Sequence, residues 1–207
     1  MFADRRAAGA VLGRKLRSYA KRRGVLVLAL PRGGVPVAFE IARALEAPLD
    51  VLPVRKLGVP GHEELAMGAI AAGVTVVNEE AIERLGISDE AVAAVAAREQ
   101  RELERRERSY RDDRPMPELT GRTLILVDDG LATGASMRVA IRAVRHHAPA
   151  KIIVAVPVAP PETAASLKTE ADEVVCALTP PQLLSIGRWY KSFDQVDDTE
   201  VRDLLTR

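Results

Sequence analysis

Thr123-Leu-Ile-Leu-Val-Asp-Asp-Gly-Leu-Ala-Thr-Gly-Ala-Ser-Met137 is the stretch whose reading decides the fold. Thr123 to Val127 is a short, continuous apolar run bounded by turn residues, the pattern of a strand buried on both faces of a parallel sheet. Asp128 and Asp129 then fall at the carboxyl end of that strand, where open α/β sheets bind their ligands. Gly130 to Ser136 is small enough to turn several backbone N–H groups toward one point. The following helix, with Met137, Ala140, Ile141 and Val144 on its inner face, adds the positive end of its dipole. Strand, paired acids, small-residue loop and helix together make a cradle for a phosphate monoester, with carboxylates placed for the vicinal hydroxyls of a sugar.

Working outward, the same alternation repeats. Val25 to Leu30 has the length and composition of a strand, Pro31-Arg-Gly-Gly34 reads as a turn, and Val35 to Leu45 as a helix with Val37, Ile41 and Leu45 on one face. Leu49 to Val54 is a second buried strand. Ala66 to Asn78 holds two short strands around Gly73. Lys151 to Val158, Pro161 to Thr169 and Glu173 to Leu178 continue as strand, helix and strand. Asp4 to Arg23 reads as a surface helix stopped by Gly24. Strands alternating with helices give an α/β fold, a parallel sheet flanked by helices.

Two segments stand outside this rhythm. Residues 79–114 read as a helical insertion with Ser88 as N-cap, closed by Pro115 and Pro117. Arg98 to Arg114 carries seven arginines and six acids, interleaved at helical spacing, which predicts a salt-bridged solvated face rather than a nucleic-acid surface. The tail 179–207 holds the one Trp and forms a small C-terminal hood. All 207 residues are assigned to one domain. Cys176 lies in an apolar run and reads as a buried structural thiol. A net charge of +1 gives no global pull toward nucleic acid, and no apolar stretch reaches membrane-helix length. A soluble cytoplasmic protein, assembled as a homodimer, is the expectation.

The segment Val127–Met137 resembles the phosphoribosyl pyrophosphate (PRPP) motif of the type I phosphoribosyltransferases. The resemblance implies that Asp128 and Asp129 hold the ribose hydroxyls and that Ala132, Thr133, Gly134, Ala135 and Ser136 bind the 5′-phosphate. It makes Pro31-Arg-Gly-Gly34 the pyrophosphate loop, with Arg32 as a planar donor fork and Gly33 and Gly34 letting amides approach the anion. It implies a flexible loop over the Gly/Pro-rich segment 56–64 that closes the site, with Arg55 and Lys56 as pyrophosphate contacts and Lys56 among the catalytic residues. His62, Glu63 and Glu64 have acid–base capacity but nothing local that requires it. It also implies a cis peptide just before the basic residue of the pyrophosphate loop, which Pro31 places at Leu30–Pro31.

The implied reaction transfers the 5-phosphoribosyl group from PRPP to a nitrogen nucleophile, with loss of pyrophosphate and inversion at C1. Mg²⁺ is the implied cofactor, held indirectly at Asp128 and Asp129 through PRPP hydroxyls or water. PRPP, pyrophosphate and a small-molecule acceptor are the expected partners, with neither nucleic acid nor membrane among them. The family's 6-oxopurine enzymes carry an acid three residues beyond the second motif acid. Ala132 stands there, so the expected acceptor is a nucleobase other than hypoxanthine, guanine or xanthine. Trp189 or Tyr190 in the tail either stacks on a base or packs the terminus onto the core. The rival reading is a regulator that binds PRPP or a nucleotide without turnover. A hydrolase using Asp128 as nucleophile fits the motif less well.

Overall fold

The computed structural model describes residues 1–207. Five strands form a wholly parallel sheet: β1 (Val25–Ala29), β2 (Leu49–Val51), β6 (Thr123–Val127), β7 (Lys151–Val158) and β8 (Glu173–Leu178). Their order is β2-β1-β6-β7-β8. Strand alternation divides the core into two layers. Leu26, Leu28, Leu124, Leu126, Ile152 and Val154 face α5 (Ala135–Arg145) and α6 (Pro161–Leu167). Val25, Val27, Ile125, Val127 and Ile153 face α1 (Arg5–Lys15), α2 (Gly34–Leu45) and α7 (Asp198–Leu205). Each fully buried branched side chain contributes about 1.5–3 kcal/mol, which explains why both faces of every central strand are apolar.

The order of strands positions the site. From β1 the chain crosses through α2 to β2 on one side, while β6 lies on the other side and leads into α5. The loops after β1 and β6 therefore diverge and leave a crevice between them, the place where doubly wound sheets take ligands.

A second, three-stranded antiparallel sheet, β3 (Val54–Val59), β4 (His62–Ala71) and β5 (Val74–Val77), rises from the edge beyond β2. It corrects the expectation of a loop over 56–64, for that segment is the first hairpin of this sheet. Gly61, at φ +79°, makes the tight turn. Gly58 lies so close to Glu63 that a Cβ there would meet the Glu63 carbonyl oxygen at 2.7 Å. Glycines and proline suggest mobility by composition alone, whereas here they shape a turn and an irregular crossing of two strands. The strand expected over Leu49 to Val54 likewise divides into β2 and the start of β3.

Asn78 and Ser88 accept from Ala81 and Ala91 N–H and cap α3 (Glu79–Leu85) and α4 (Asp89–Arg111). α4 docks on the hairpin through Val95 and Leu103 against Leu57, Val59, Met67 and Ile70. At the N-terminus the helix is shorter than expected, ending at Lys15 before a 3₁₀ turn at Arg17–Tyr19. No helix is long and apolar enough to cross a membrane.

Candidate active site

The motif loop is built as an anion cradle. β6 delivers Asp128 and Asp129 to the rim, and Gly134 takes a left-handed conformation, φ +76°, that turns the chain into α5. The amides of Ala132, Thr133, Gly134, Ser136 and Met137 have no acceptor in the protein, while the flanking Leu131 and Arg138 amides donate to Val158 and Gly134. Loop and helix start line a hollow of about 140 Å³ that Asp128 also borders. Open amides converging on a helix N-terminus favour a phosphate there. Thr163 fastens the loop from outside by donating its hydroxyl hydrogen to the Ala132 carbonyl at 2.9 Å.

The Pro31–Gly34 loop packs directly on the acids. A Cβ on Gly33 would lie 2.1 Å from Asp129 Oδ2, and one on Gly34 would meet the Val127 carbonyl oxygen at 2.7 Å. Any side chain at either position would push the acid pair away. The Arg32 and Gly33 amides have no protein acceptor. The cis peptide of this loop joins Pro31 to Arg32. The expectation of a cis bond at Leu30–Pro31 is thus corrected by one position: proline's tolerance of cis drew the assignment to its own bond, and the bend falls on the bond directly before the basic residue.

The acids are unusual in their surroundings. Burial, and then the Asp129 charge, push the Asp128 carboxyl well above the ordinary carboxylate range. Burial raises Asp129 as well, against the pull of Arg5. Asp128 Oδ1 accepts the Asp129 N–H at 2.8 Å. Asp129 Oδ2 accepts from Arg5 Nε at 2.8 Å, and the two side chains are only 14% and 11% exposed. Arg5 also donates to the Asp194 carbonyl at 2.7 Å and lies over the Phe193 ring, 3.8 Å from its centroid. Sequence reasoning missed Arg5. Nothing local marks it, because α1 reaches the site only through its close seat on α2, where a Cβ on Gly9 would meet the Val37 carbonyl oxygen at 2.4 Å.

Tyr190 is corrected to an anchor. Its hydroxyl donates to the Asp129 carbonyl at 2.5 Å, and its ring is buried between Phe2 and Phe193. Burial and the neighbouring Asp129 push that hydroxyl far above its ordinary range. The ring therefore presents no free face to a base. Trp189 is half-buried beside Met1, Leu184 and Arg188, in a hollow separate from the acids and the loop. Ile186 of the same tail does reach the motif, packing where a Cβ on Gly130 would be 2.6 Å away.

On the hairpin, Arg55 and Lys56 part company, because consecutive strand residues point to opposite faces. Arg55 turns inward to Glu99 and shares a cavity with Arg32. Lys56 is exposed, its ammonium donating to the Glu64 carbonyl at 3.0 Å, so the structure does not bring this expected catalytic residue to the acids. His62, Glu63 and Glu64 are exposed on the same hairpin. Cys176 is half-buried, donates to the Leu178 carbonyl at 3.0 Å, and burial pushes its thiol up.

Comparison with known proteins agrees with this geometry. The family model described as "Phosphoribosyl transferase domain" matches residues 5–180. Two proteins of Mycobacterium tuberculosis, strains CDC 1551 and H37Rv, each named "Putative phosphoribosyl transferase", are 45% identical over 208 residues, covering 100% of this chain and 47% of their own length. The chain thus spans about half the length of these curated relatives. The crystal structure of TT1426 from Thermus thermophilus superposes with a TM-score of 0.85 at 42% identity, covering 99% of this chain and 97% of that one. A hypoxanthine-guanine phosphoribosyltransferase from Bacillus anthracis shares the fold alone, at TM-score 0.50 and 11% identity over 86% of this chain and 79% of that one. With the family model running from the helix that carries Arg5 through the motif loop to the last strand of the sheet, this chain belongs to the phosphoribosyl transferase domain family.

Proposed function

We propose that the protein transfers the 5-phosphoribosyl group of PRPP to a nitrogen nucleophile and releases pyrophosphate. The observation that carries this reading is the set of open amides at Ala132, Thr133, Gly134, Ser136 and Met137 beside two half-buried acids. A sugar phosphate has the complementary chemistry, an anion for the amides and vicinal hydroxyls for the carboxylates. On this reading Asp128 and Asp129 orient the ribose, the loop fixes the 5′-phosphate, and Arg32 with the Arg32 and Gly33 amides receives the leaving pyrophosphate. Catalysis is then positional and electrostatic, acting as charge separates at C1. No three of His, Cys, Asp and Glu come together in the structure. Two acids beside a phosphate cradle suit magnesium, which keeps substrate and water oxygens in its shell and would neutralise the departing pyrophosphate. Ala132 offers no acid toward a purine, which favours an acceptor other than a 6-oxopurine.

One observation favours a second reading, a protein that binds PRPP without turning it over. Arg5 already occupies Oδ2 of Asp129, leaving that acid fewer lone pairs for a hydroxyl. Pyrophosphate release from PRPP and Mg²⁺, measured across adenine, orotate, hypoxanthine, guanine and simple amines, separates the two. Acceptor-dependent release is expected. Tight PRPP binding with no release for any acceptor would favour the regulator, and hypoxanthine or guanine as the best acceptor would overturn the inference from Ala132.

A further inference from the structure

Beyond Arg32 the crevice opens into a cavity of about 400 Å³ between the Pro31–Gly34 loop, the start of β3, α4 and α7. Its lining includes four guanidinium groups, Arg32, Arg55, Arg105 and Arg106, and a single carboxylate, Asp198. Three of the arginines are braced by acids outside the lining. Arg55 gives Nε and Nη2 to Glu99 Oε2 at 3.0 and 2.5 Å. Arg105 gives Nε and Nη2 to the two oxygens of Glu102 at 2.8 and 2.9 Å, and Arg106 gives Nε to Glu102 Oε1 at 3.0 Å. Nη1 of Arg55, Nη1 of Arg105 and both Nη groups of Arg106 have no hydrogen-bond acceptor in the protein. Arg32 is less engaged still, with only Asp198 at 3.7 Å. Tyr110 donates to that same carboxylate at 2.9 Å, and its hydroxyl, pushed up to about 12 by burial and Asp198, adds no negative charge.

Arg105 and Arg106 pair with Glu102 along their own helix and remain exposed, as the spacing in the sequence suggests. Because α4 also packs across the hairpin, the same two residues border one cavity with arginines from two other segments. A carboxylate that holds one edge of a guanidinium leaves donors free on the other; Glu99 fixes the half-buried Arg55 in this way, and Glu102 orients the more exposed Arg105 and Arg106 more weakly. The cavity adjoins the Arg32 and Gly33 amides, which also lack acceptors, and Gly33 touches Asp129. The order along the crevice is phosphate cradle, acid pair, glycine loop, arginine cavity.

We infer that Arg105 and Arg106 of the α4 segment, with Arg32 and Arg55, form a diphosphate site, so that this helix supplies cations in place of the expected Lys56. The ligand's identity as the pyrophosphate of PRPP rests on the function proposed above, whereas the site as a receptor for a diphosphate does not. Calorimetric titration with inorganic pyrophosphate and Mg²⁺, and separately with PRPP and Mg²⁺, tests both. The double variant R105M/R106M is compared with R101M/R108M, which removes the same charge from the same helix at exposed positions outside the cavity. Both are surface changes whose fold is checked by circular dichroism.

Pyrophosphate affinity is expected to fall roughly tenfold or more in R105M/R106M and to change little in R101M/R108M. Equal losses in the two variants would reduce the effect to net charge and overturn the site, as would pyrophosphate binding indifferent to both or absent from the wild type. Were PRPP to bind while pyrophosphate affinity ignored Arg105 and Arg106, the site would fall and the PRPP reading would stand. Were pyrophosphate to bind through Arg105 and Arg106 but PRPP not bind at all, the diphosphate site would stand and the PRPP reading would fall.

Discussion

Asp128 and Asp129 are neighbours on one strand end, with their phosphate loop following directly in the chain. Arg32, Arg55, Arg105 and Arg106 gather from three segments as much as 74 positions apart. The acid end is closely packed. Gly33 presses on it, Arg5 and Tyr190 brace it, and the sheet supports it from below. The arginine end is open, its side chains held only by Glu99, Glu102 and Asp198. Contiguity in sequence and close packing in structure go together here, because a strand end fixes its next residues whereas a cavity between a hairpin and two helices depends on tertiary packing.

The largest effect expected at the acid end comes from replacing both acids. Asp128→Asn with Asp129→Asn removes the charge from hydrogen bonds that contribute roughly 1.5–3 kcal/mol each. PRPP affinity should fall on the order of 10²–10⁴-fold, with far-UV dichroism unchanged. Calorimetry showing wild-type affinity in the double variant would remove the acids from the site. A loss matched by R105M/R106M would erase the contrast between the two ends.

Next in size is Arg5→Met. It leaves the Asp129 carboxylate largely buried without its cation, and breaking such a pair costs about 3 kcal/mol. Chemical denaturation should register that loss. PRPP affinity should also weaken, because Arg5 draws Asp129 toward its charged form and fixes its orientation. Tighter PRPP binding in the variant would instead identify the ion pair as a latch and favour the reading without turnover. Tyr190→Phe is smaller. It deletes one hydrogen bond to the Asp129 carbonyl while keeping the ring between Phe2 and Phe193, for a loss of about 1 kcal/mol. A denaturation midpoint unmoved from wild type would show that ring packing alone anchors the tail.

The same contrast explains what the sequence disclosed. Thr123 to Met137 could be read residue by residue, because every part of that unit, from apolar strand to glycine turn to helix start, is determined locally. Arg5 could not, since its role depends on the packing of α1 on α2 and on a tail more than 180 residues away. Lys56 was misplaced because two adjacent basic residues look equivalent in a string, whereas a strand sends them to opposite faces. Gly58 and Gly61 looked like mobility for a similar reason, since composition alone does not separate a loop from a tight hairpin. The arginines of α4 do pair along their helix as their spacing suggested, but only tertiary packing shows which of them also face the crevice.

The smallest difference is a slope with pH, and its sign is opposite at the two ends. Asp128 binds its proton more tightly in the folded chain than unfolded, through burial first and the charge of Asp129 second. Above the ordinary aspartate value near 3.8 the unfolded chain has lost a proton that the native chain retains. Stability from this group is therefore complete at lower pH and is lost as pH rises through the raised native value. Glu102 runs the other way. Hydrogen bonds from Arg105 and then Arg106 hold it down to about 2, so its contribution is present above its unfolded value near 4.5 and lost as pH falls toward 2, and it is small because the pair is solvated. Asp128→Asn should accordingly be more stable than wild type at neutral pH, with an advantage that shrinks toward pH 4. Glu102→Gln should be slightly less stable at neutral pH, with a deficit that closes in acid. Denaturation midpoints at several pH values check both, and parallel profiles for Asp128→Asn and wild type would show that the acid pair is already ionised at no cost. PRPP binding provides an independent check. If PRPP engages the charged pair, its affinity should fall as pH drops through the raised native value of Asp128 in the wild type, and fall less in Asp128→Asn.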